Sequence, residues 1–430
     1  MEDQFDAIVI GAGLAGLSAA CRLAREGASV VVIERGPYPG SKNLSGGVLY
    51  GPVLGQLIPE WWQQAPVERY IDREVISFMT GETAFNIDFK TQSFASAPYN
   101  AFTVLRGRFD RWLGEQAEAA GAMLVPGIKV ERLVTDGGRV TGVVAGEDTL
   151  LADAVIAADG ACSFIAQQAG LQKRIDPAHL GVGVKELIGL PKETLQERFG
   201  LSGDEGTAYA MVGFATRGVP GGGFLYTNQE SLSVGLVMNL EEALQAKVQP
   251  AEALEEFLAH PAVAPLIRGG KLLEYGAHLV AEGGISMMPR LVADGLLLAG
   301  DAAGLSVNNG FVIRGMDLAI GSGIAAAEAV IEAKAKRDFS AAGLGIYQQK
   351  LEASFVMKDM HTYSKAPDFL ANPRLYASYP RLLEEVMTRI YAQEANGKEH
   401  LMPILMRALK NSRIPLADLG LDGWKGLRNL

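Results

Sequence analysis

Only two cysteines, Cys21 and Cys162, occur in the 430 residues, and neither belongs to a CxxC pair. That excludes a disulfide scaffold, a cysteine-rich zinc site and a CxxC dithiol. It also leaves too few thiolates for an iron–sulfur cubane held by this chain alone. Both cysteines read as small buried apolar residues, and such sparse use suits a reducing cytoplasm. No uninterrupted apolar run reaches the roughly 18 residues of a membrane-spanning helix. Residues 5–10 already read as a buried strand behind acidic residues, so no signal peptide is expected. The expectation is a cytoplasmic protein, with peripheral contact on the inner face of the membrane left open. Basic runs are missing too, and a formal charge of -10 argues against a nucleic-acid partner.

Glycine, by contrast, is abundant at 51 residues, which points to tight turns and to backbone lying close to something bound. Apolar residues at 48% and charged residues at 20% exclude disorder and fibrous repeats, and the length allows two or three domains.

The opening FDAIVIGAGLAGLSAACRLAREGASVVVIERG reads as strand, glycine turn, helix and second strand. Residues 7–10 and 30–33 are continuous apolar runs, as in strands covered on both faces. Leu14, Leu17, Ala20, Cys21 and Leu23 recur at helical spacing, and Gly27 is placed to end the helix. Gly11, Gly13 and Gly16 form GxGxxG at the mouth of that helix, with Ala12, Leu14 and Ala15 in the same turn. Gly11 permits the tight turn, Gly13 lets a pyrophosphate approach, Gly16 allows helix-on-strand packing, and the helix N-terminus favours the anion. Glu34, ending the second strand, is placed to accept hydrogen bonds from an adenosine ribose.

That fingerprint does not separate NAD from FAD. In GLLLAGDAAG an apolar strand runs into Gly300 and Asp301, placing a carboxylate where it suits polyol hydroxyls. A small-residue helix follows from Gly315, and its N-terminus suits negative charge on a reduced flavin. Taken alone, Asp301 reads equally as a turn former or helix cap. Elsewhere, residues 37–53 read as a loop, 75–79 as a strand, the stretch from Arg106 as an amphipathic helix, and 130–145 as a hairpin turned at Asp136, Gly137 and Gly138. Residues 154–157 form a strand ending in Ala158, Asp159 and Gly160; 182–275 read as an inserted domain, and the chain beyond 340 as helical.

Together these features resemble the glutathione-reductase-like flavoproteins, in the branch holding hydroxylases and geranylgeranyl reductases. Within it, KNLSGGVLY, GGGFLYTN, HPAVAPLIRGGKLLEYGAH and GDAAG with GFVIRGMDLAI resemble FixC and electron-transfer-flavoprotein:quinone oxidoreductase. The resemblance covers residues 5–335 and, for FixC, runs to the C-terminus. It implies an α/β fold: a Rossmann-like FAD-binding domain of glutathione-reductase type, with an inserted α+β quinone or substrate domain and a helical C-terminal region. The expected divisions are 1–75, 104–181 and 276–335 for the FAD domain, 76–103 and 182–275 for the inserted domain, and 336–430 for a C-terminal region that docks a partner. Implied FAD-binding positions are Gly11, Ala12, Gly13, Leu14, Ala15, Gly16, Glu34, Arg35, Arg106, Val130, Asp159, Gly160, Gly300 and Asp301. Ser45, Gly46 and Gly47 are expected near the isoalloxazine ring, as is the turn carrying Asn308, Gly310 and Gly315. Arg106 reads equally as a surface residue at a helix start. Phe224, Leu225 and Phe311 are expected to line a quinone path, with core packing as the other reading of each.

The resemblance further implies electron transfer from a partner electron transfer flavoprotein through FAD to a quinone, in an electron-bifurcating complex that also reduces ferredoxin or flavodoxin. No catalytic side chain beyond the flavin and no metal site are expected. The mitochondrial enzyme carries its cluster ligands in a C-terminal extension, so an iron–sulfur cluster is expected here on a separate ferredoxin-like subunit. No second strand–GxGxxG–helix serves a nicotinamide. The rivals are an NAD(P)H-dependent prenyl (geranylgeranyl) reductase, a flavin monooxygenase, and a non-redox carrier of prenylated proteins. Gly304 stands where hydroxylases often show His, and the intact Gly-Asp segment argues against the carrier. His179, His260, His278, His361 and His400 lie outside the three FAD motifs and read as structural, so the sequence identifies no proton donor. The terminal GLDGWKGLRNL, with Trp424, reads as a partner-docking tail or as packing onto the parent domain.

Overall fold

Strands Gln4–Ile10 and Val30–Glu34 pair in parallel, Ala7 beside Val30 and Ile10 beside Ile33, and are buried throughout residues 7–10 and 30–34. In the computed structural model, which describes residues 4–43, 46–173, 175–393, 395 and 397–430, they sit inside a sheet covered on both faces. Its order is Val292–Ala293, Leu296–Leu298, Asp148–Ala157, Gln4–Ile10, Val30–Glu34 and Met123–Pro126. The hairpin Val130–Asp136 and Arg139–Ala145 adds to Asp148–Ala157, turning at Gly137 and Gly138 as expected. Helices Leu14–Arg25 and Met316–Lys336 pack together on this Rossmann-like sheet. They come to backbone contact: a Cβ on Gly323 would lie 2.2 Å from the Ala15 carbonyl oxygen.

The second sheet is mixed and larger. Its order is Lys271–Ala281, Leu180–Gly189, Ser231–Asn239, Gly221–Thr227, Glu205–Gly213, Val67–Met79, Ala101–Val104 and Gly47–Tyr50, with Ala84–Lys90 pairing on Val67–Met79. One face, bearing Val184, Leu225, Leu232, Val234 and Leu236, packs against Leu195, Phe199, Leu254 and Phe257 from helices Lys192–Phe199 and Pro250–Ala259. The alternate residues of the same strands point the other way.

The expected divisions cut across elements: 75/76 falls inside Val67–Met79, 103/104 inside Ala101–Val104, 181/182 inside Leu180–Gly189, 275/276 inside Lys271–Ala281 and 335/336 inside Met316–Lys336, and the second sheet already begins at Gly47. Gly47–Tyr50 is too short to show a period within a loop-like composition. The first half of Val67–Met79 is rich in charge, which hides a strand. That charge is accommodated inside: the fully buried Arg69 donates to the carbonyl oxygens of Asn228 (2.7 Å), Gly203 (3.0 Å) and Glu205 (2.9 Å).

The chain beyond 340 is helical, as its pattern predicts. Helices Ser378–Tyr391 and Leu401–Ser412 share a small core of Leu382, Ala408, Leu409 and Ile414. The last helix, Leu416–Asn429, is tied down by Arg374, which donates to both carboxylate oxygens of the buried Asp422 at 2.7 and 2.8 Å. Among the described residues no helix is long and apolar enough to cross a membrane.

Candidate cofactor site and adjoining cavity

Where the first strand meets the first helix, the turn is shaped by close approach. A Cβ on Gly11, which has φ +100°, would lie 2.4 Å from the Ala158 carbonyl oxygen, and one on Gly16 2.0 Å from that of Gly11. Gly13 differs: nothing lies within 4 Å of where its Cβ would stand. It is the N-cap of Leu14–Arg25 and lends that helix no side-chain cap. The first helical amides thus have no side-chain cap and the space beside Gly13 is open, which suits an anion at this helix start. Glu34 is buried beside them, accepting from the Ala12 amide at 2.9 Å and the Gly36 amide at 2.6 Å. Gly127 and Ile128 close the strand end by donating to the Gly36 and Glu34 carbonyl oxygens, and Val130 follows two residues on, paired with Ala145.

Gly300 and Asp301 follow strand Leu296–Leu298 and lie against the first helix. The Gly300 amide donates to Ser322 Oγ at 2.9 Å, and a Cβ on Gly300 would stand 2.8 Å from Ala15 Cβ. Gly315, the N-cap of Met316–Lys336, gives that helix no side-chain cap, and its Cβ position is 3.9 Å from Asp301 Oδ1. The two late segments thus converge. Arg106 opens helix Arg106–Ala119 and is clamped by the buried Asp110, with Nε–Oδ1 at 2.7 Å and a second bond of 2.8 Å. It is no free surface arginine. Burial raises the Asp301 carboxyl above the usual carboxylate range, and Arg106 and then His278 work against that shift.

Two residues that sequence reasoning missed join this group. Lys185, on strand Leu180–Gly189, donates to the Gly46 carbonyl oxygen at 2.6 Å. Burial, with Arg106 beside it, brings its amine down to about 7, and Glu274 opposes the shift. His278 pairs with Gly183 across the sheet and so shares the face of Lys185. Burial lowers its imidazole, Asp301 works against that change, and Arg106, Lys185 and Arg35 add to it. Arg106 and His278 thus face the Asp301 carboxylate, with Lys185 and Arg35 close to His278. Two helix N-termini without side-chain caps belong to the same region, and the arrangement fits the diphosphate and reducible ring of a flavin dinucleotide. Lys185 stands next to Glu186 in its strand, and only strand register shows which of the two charges meets the cleft.

Other expected positions fall out unevenly. Ser45 lies outside the described residues. Gly46 and Gly47 back onto Ser233 and Met316. The Asp159 carboxylate is committed to its own turn, accepting from Ser163 Oγ at 2.6 Å and the Ile165 amide at 3.2 Å, so it shapes the Gly160 bend instead of reaching outward. Asn308 and Gly310 belong to a small hairpin, Val307–Asn308 against Ile313–Arg314, in which Asn308 Oδ1 accepts from the Gly310 amide at 2.9 Å.

This hairpin separates two cavities. One, of about 150 Å³, is bounded by Asp301, Asn308, Ile313, Gly315 and Glu282. The other, of about 210 Å³, lies between the free face of the second sheet, the hairpin and the C-terminal region, with Asn308 and Ile313 again in its wall. Phe224 and Phe311 line the second cavity, and the Phe224 ring stacks on Tyr226 at 5.0 Å. Leu225 does not: it is fully buried on the opposite face of its strand, because neighbouring residues of a strand point to opposite sides. Glu74 enters this wall unannounced, as does Glu282 in the first cavity, and burial raises each carboxyl to about 7. Among the described residues no cluster of His, Cys, Asp and Glu is arranged to hold a metal ion.

Residues 6–182 match the family model described as FAD dependent oxidoreductase, and residues 180–280 match ETF-QO, ubiquinone-binding. The second match runs from the start of strand Leu180–Gly189 almost to the end of Lys271–Ala281. Among curated proteins, the chain is 47% identical over 425 residues to the probable electron transfer flavoprotein-quinone oxidoreductase YdiS of Escherichia coli, covering 99% of both chains. It is 48% identical to Protein FixC of Salmonella typhi, again with 99% of both covered. A geranylgeranyl bacteriochlorophyll reductase-like protein of Thermoplasma acidophilum superposes with a TM-score of 0.71, at 20% identity, over 95% of this chain and 96% of that one. This last likeness shows the fold alone.

Proposed function

Because the chain belongs to the family of FixC and the electron transfer flavoprotein-quinone oxidoreductases, which are FAD-dependent oxidoreductases, we propose that it takes electrons from a partner electron transfer flavoprotein and delivers them to a quinone. The observation that carries this reading is the shared wall. Asn308 and Ile313 bound both the Asp301–Gly315 cavity and the apolar 210 Å³ cavity, so a flavin edge in the first and a quinone ring in the second would be near neighbours.

In this reading the amides at the start of Leu14–Arg25 hold the diphosphate, Glu34 the adenosine ribose and Asp301 the polyol chain. Arg106, fixed by Asp110, stands over the same space. The uncapped N-terminus of Met316–Lys336 and the Lys185 ammonium stabilise negative charge at the ring end. When bound, the flavin supplies transfer of one electron or two. The protein's part is to orient, to exclude water and to set the local charge. Phe224, Tyr226 and Phe311 give the quinone apolar and aromatic surface.

Likeness to FixC supports placing the chain in an electron-bifurcating complex, with a ferredoxin-like subunit carrying the iron–sulfur cluster that two cysteines cannot hold. The exposed Leu416, Trp424 and Leu427 on the last helix form a face suited to docking such a subunit. Ile87 and Phe89, on strand Ala84–Lys90, are more than half exposed, as is Phe311. Their strand lies beside one that lines the quinone cavity, which supports peripheral contact with a membrane that stores the quinone.

The test is to reduce the FAD-loaded protein with dithionite without oxygen and mix it with decylubiquinone. Reoxidation of the flavin with matching quinol formation is expected. A flavin that stays reduced would overturn the reading.

A further inference from the structure

A quinone becomes a quinol only if two protons arrive with two electrons, and the functional reading above supplies no donor for them. The 210 Å³ cavity contains one acidic side chain, Glu74. Its strand, Val67–Met79, places it opposite Ala208 on one side and Phe89 on the other, on the face that carries Ile76 and Phe78. Apart from the amide of Asn308, the side chains lining the cavity with it are apolar or phenolic. Tyr50 and Tyr226 line the same cavity and feel its charge. The nearby cations are engaged elsewhere: Arg73 with Asp88, Lys90 with Asp72 and Glu205, and Arg314 with Asp317 and Asp359. Among the described residues Glu74 itself takes part in no hydrogen bond or ion pair.

A partly buried carboxyl without a partner is costly to keep. Such groups concentrate at functional sites. We infer that Glu74 is the proton donor to the quinone, its carboxyl group hydrogen-bonding a quinone carbonyl oxygen inside the cavity beneath Tyr50 and Tyr226. This rests on the functional reading above. With two electrons that a bound reduced flavin would supply, the quinone would take one proton from Glu74: the carboxyl O–H bond breaks as the O–H bond to the quinone oxygen beside it forms, leaving a carboxylate that a solvent proton restores. The second quinone oxygen, on the opposite side of the ring, takes its proton from solvent, so the balance is one quinone, two electrons and two protons to one quinol.

Burial alone raises this carboxyl to about 7, so both protonation states are populated near neutrality, the condition in which a general acid works best. The charged groups near it report little influence of their own: Tyr50 is raised chiefly by burial and then by Glu74, with Arg314 opposing, and Tyr226 by burial and then Glu74. Tyr209, on the next strand, packs on Phe199 at the sheet's other face.

The experiment uses the FAD-loaded full chain, decylubiquinone, and the variants Glu74→Gln and Glu74→Asp. Wild-type quinol formation should fall as pH rises through about 7. Glu74→Gln should bind decylubiquinone and FAD as wild type does, yet form quinol about 100-fold more slowly and without that pH dependence. Glu74→Asp should restore part of the rate. Infrared difference spectra should show a protonated-carboxyl band in wild type below about pH 7 that is missing in Glu74→Gln. Unchanged rate and pH profile in Glu74→Gln, or no such band in wild type, overturns the assignment while leaving quinone reduction standing. Failure of wild type itself to reduce decylubiquinone overturns the functional reading, and this inference with it.

Discussion

Glu34 uses both carboxylate oxygens on backbone amides, one in the glycine turn and one at Gly36. Glutamine in its place keeps the shape but turns an amide NH2 toward one of those N–H groups, so one acceptor is lost and a donor faces a donor. In the proposed site the same carboxylate also accepts from the adenosine ribose, and since a hydrogen bond to a charged group contributes about 1.5–3 kcal/mol, Glu34→Gln should weaken FAD binding about 10- to 100-fold. Calorimetric titration of the apoprotein with FAD measures this, and an unchanged affinity would remove Glu34 from the site. Lys185 makes a different prediction. Its amine is lowered to about 7, so it is charged below that pH and neutral above it, beside Gly46. The absorption maximum of bound flavin should shift as pH passes through about 7, and Lys185→Met should abolish the shift. An identical shift in the variant would place Lys185 away from the ring.

At the scale of elements, the first sheet was legible because its strands are covered on both faces and read as unbroken apolar runs, and because the glycine turn has a fixed spacing. The second sheet was not, for two physical reasons. Its long strand Val67–Met79 buries Glu68, Arg69 and Asp72, so charge masked it. Alternation also reveals two faces of a strand without saying which meets the cleft: Phe224 and Leu225 are neighbours in sequence, and only strand register separates the cavity wall from the core. Lys185, His278 and Glu74 became visible only once that register was known. The last helix is anchored by Arg374, which pairs with both Asp418 and Asp422. Arg374, with Tyr379, holds the Asp422 carboxyl below the usual carboxylate range. A carboxylate depressed in this way stabilises the docked helix at neutral pH, and the contribution disappears as pH falls through its folded value. Asp422→Asn should therefore speed hydrogen exchange across residues 416–429 at neutral pH while leaving the first sheet protected. Exchange unchanged there would show that apolar packing alone docks the helix.

For the molecule as a whole, two sheets divide the labour. The Rossmann-like sheet presents glycine turns and helix N-termini to one side of a cleft, and the free face of the second sheet supplies Lys185, His278 and the apolar cavity on the other. The small hairpin at 307–314 stands between. An electron carrier needs this contiguity, with a charged pocket for its cofactor and an apolar one for a quinone sharing a wall. In the proposed function electrons come from a protein partner and leave to a quinone, with no nicotinamide in between. The most direct test is the absorption spectrum of the FAD-loaded chain without oxygen, followed first after adding NADH and NADPH and then after adding reduced electron transfer flavoprotein. The nicotinamides should leave the flavin spectrum intact and the reduced flavoprotein should bleach it; rapid bleaching by NADH or NADPH would overturn the proposed route of electrons.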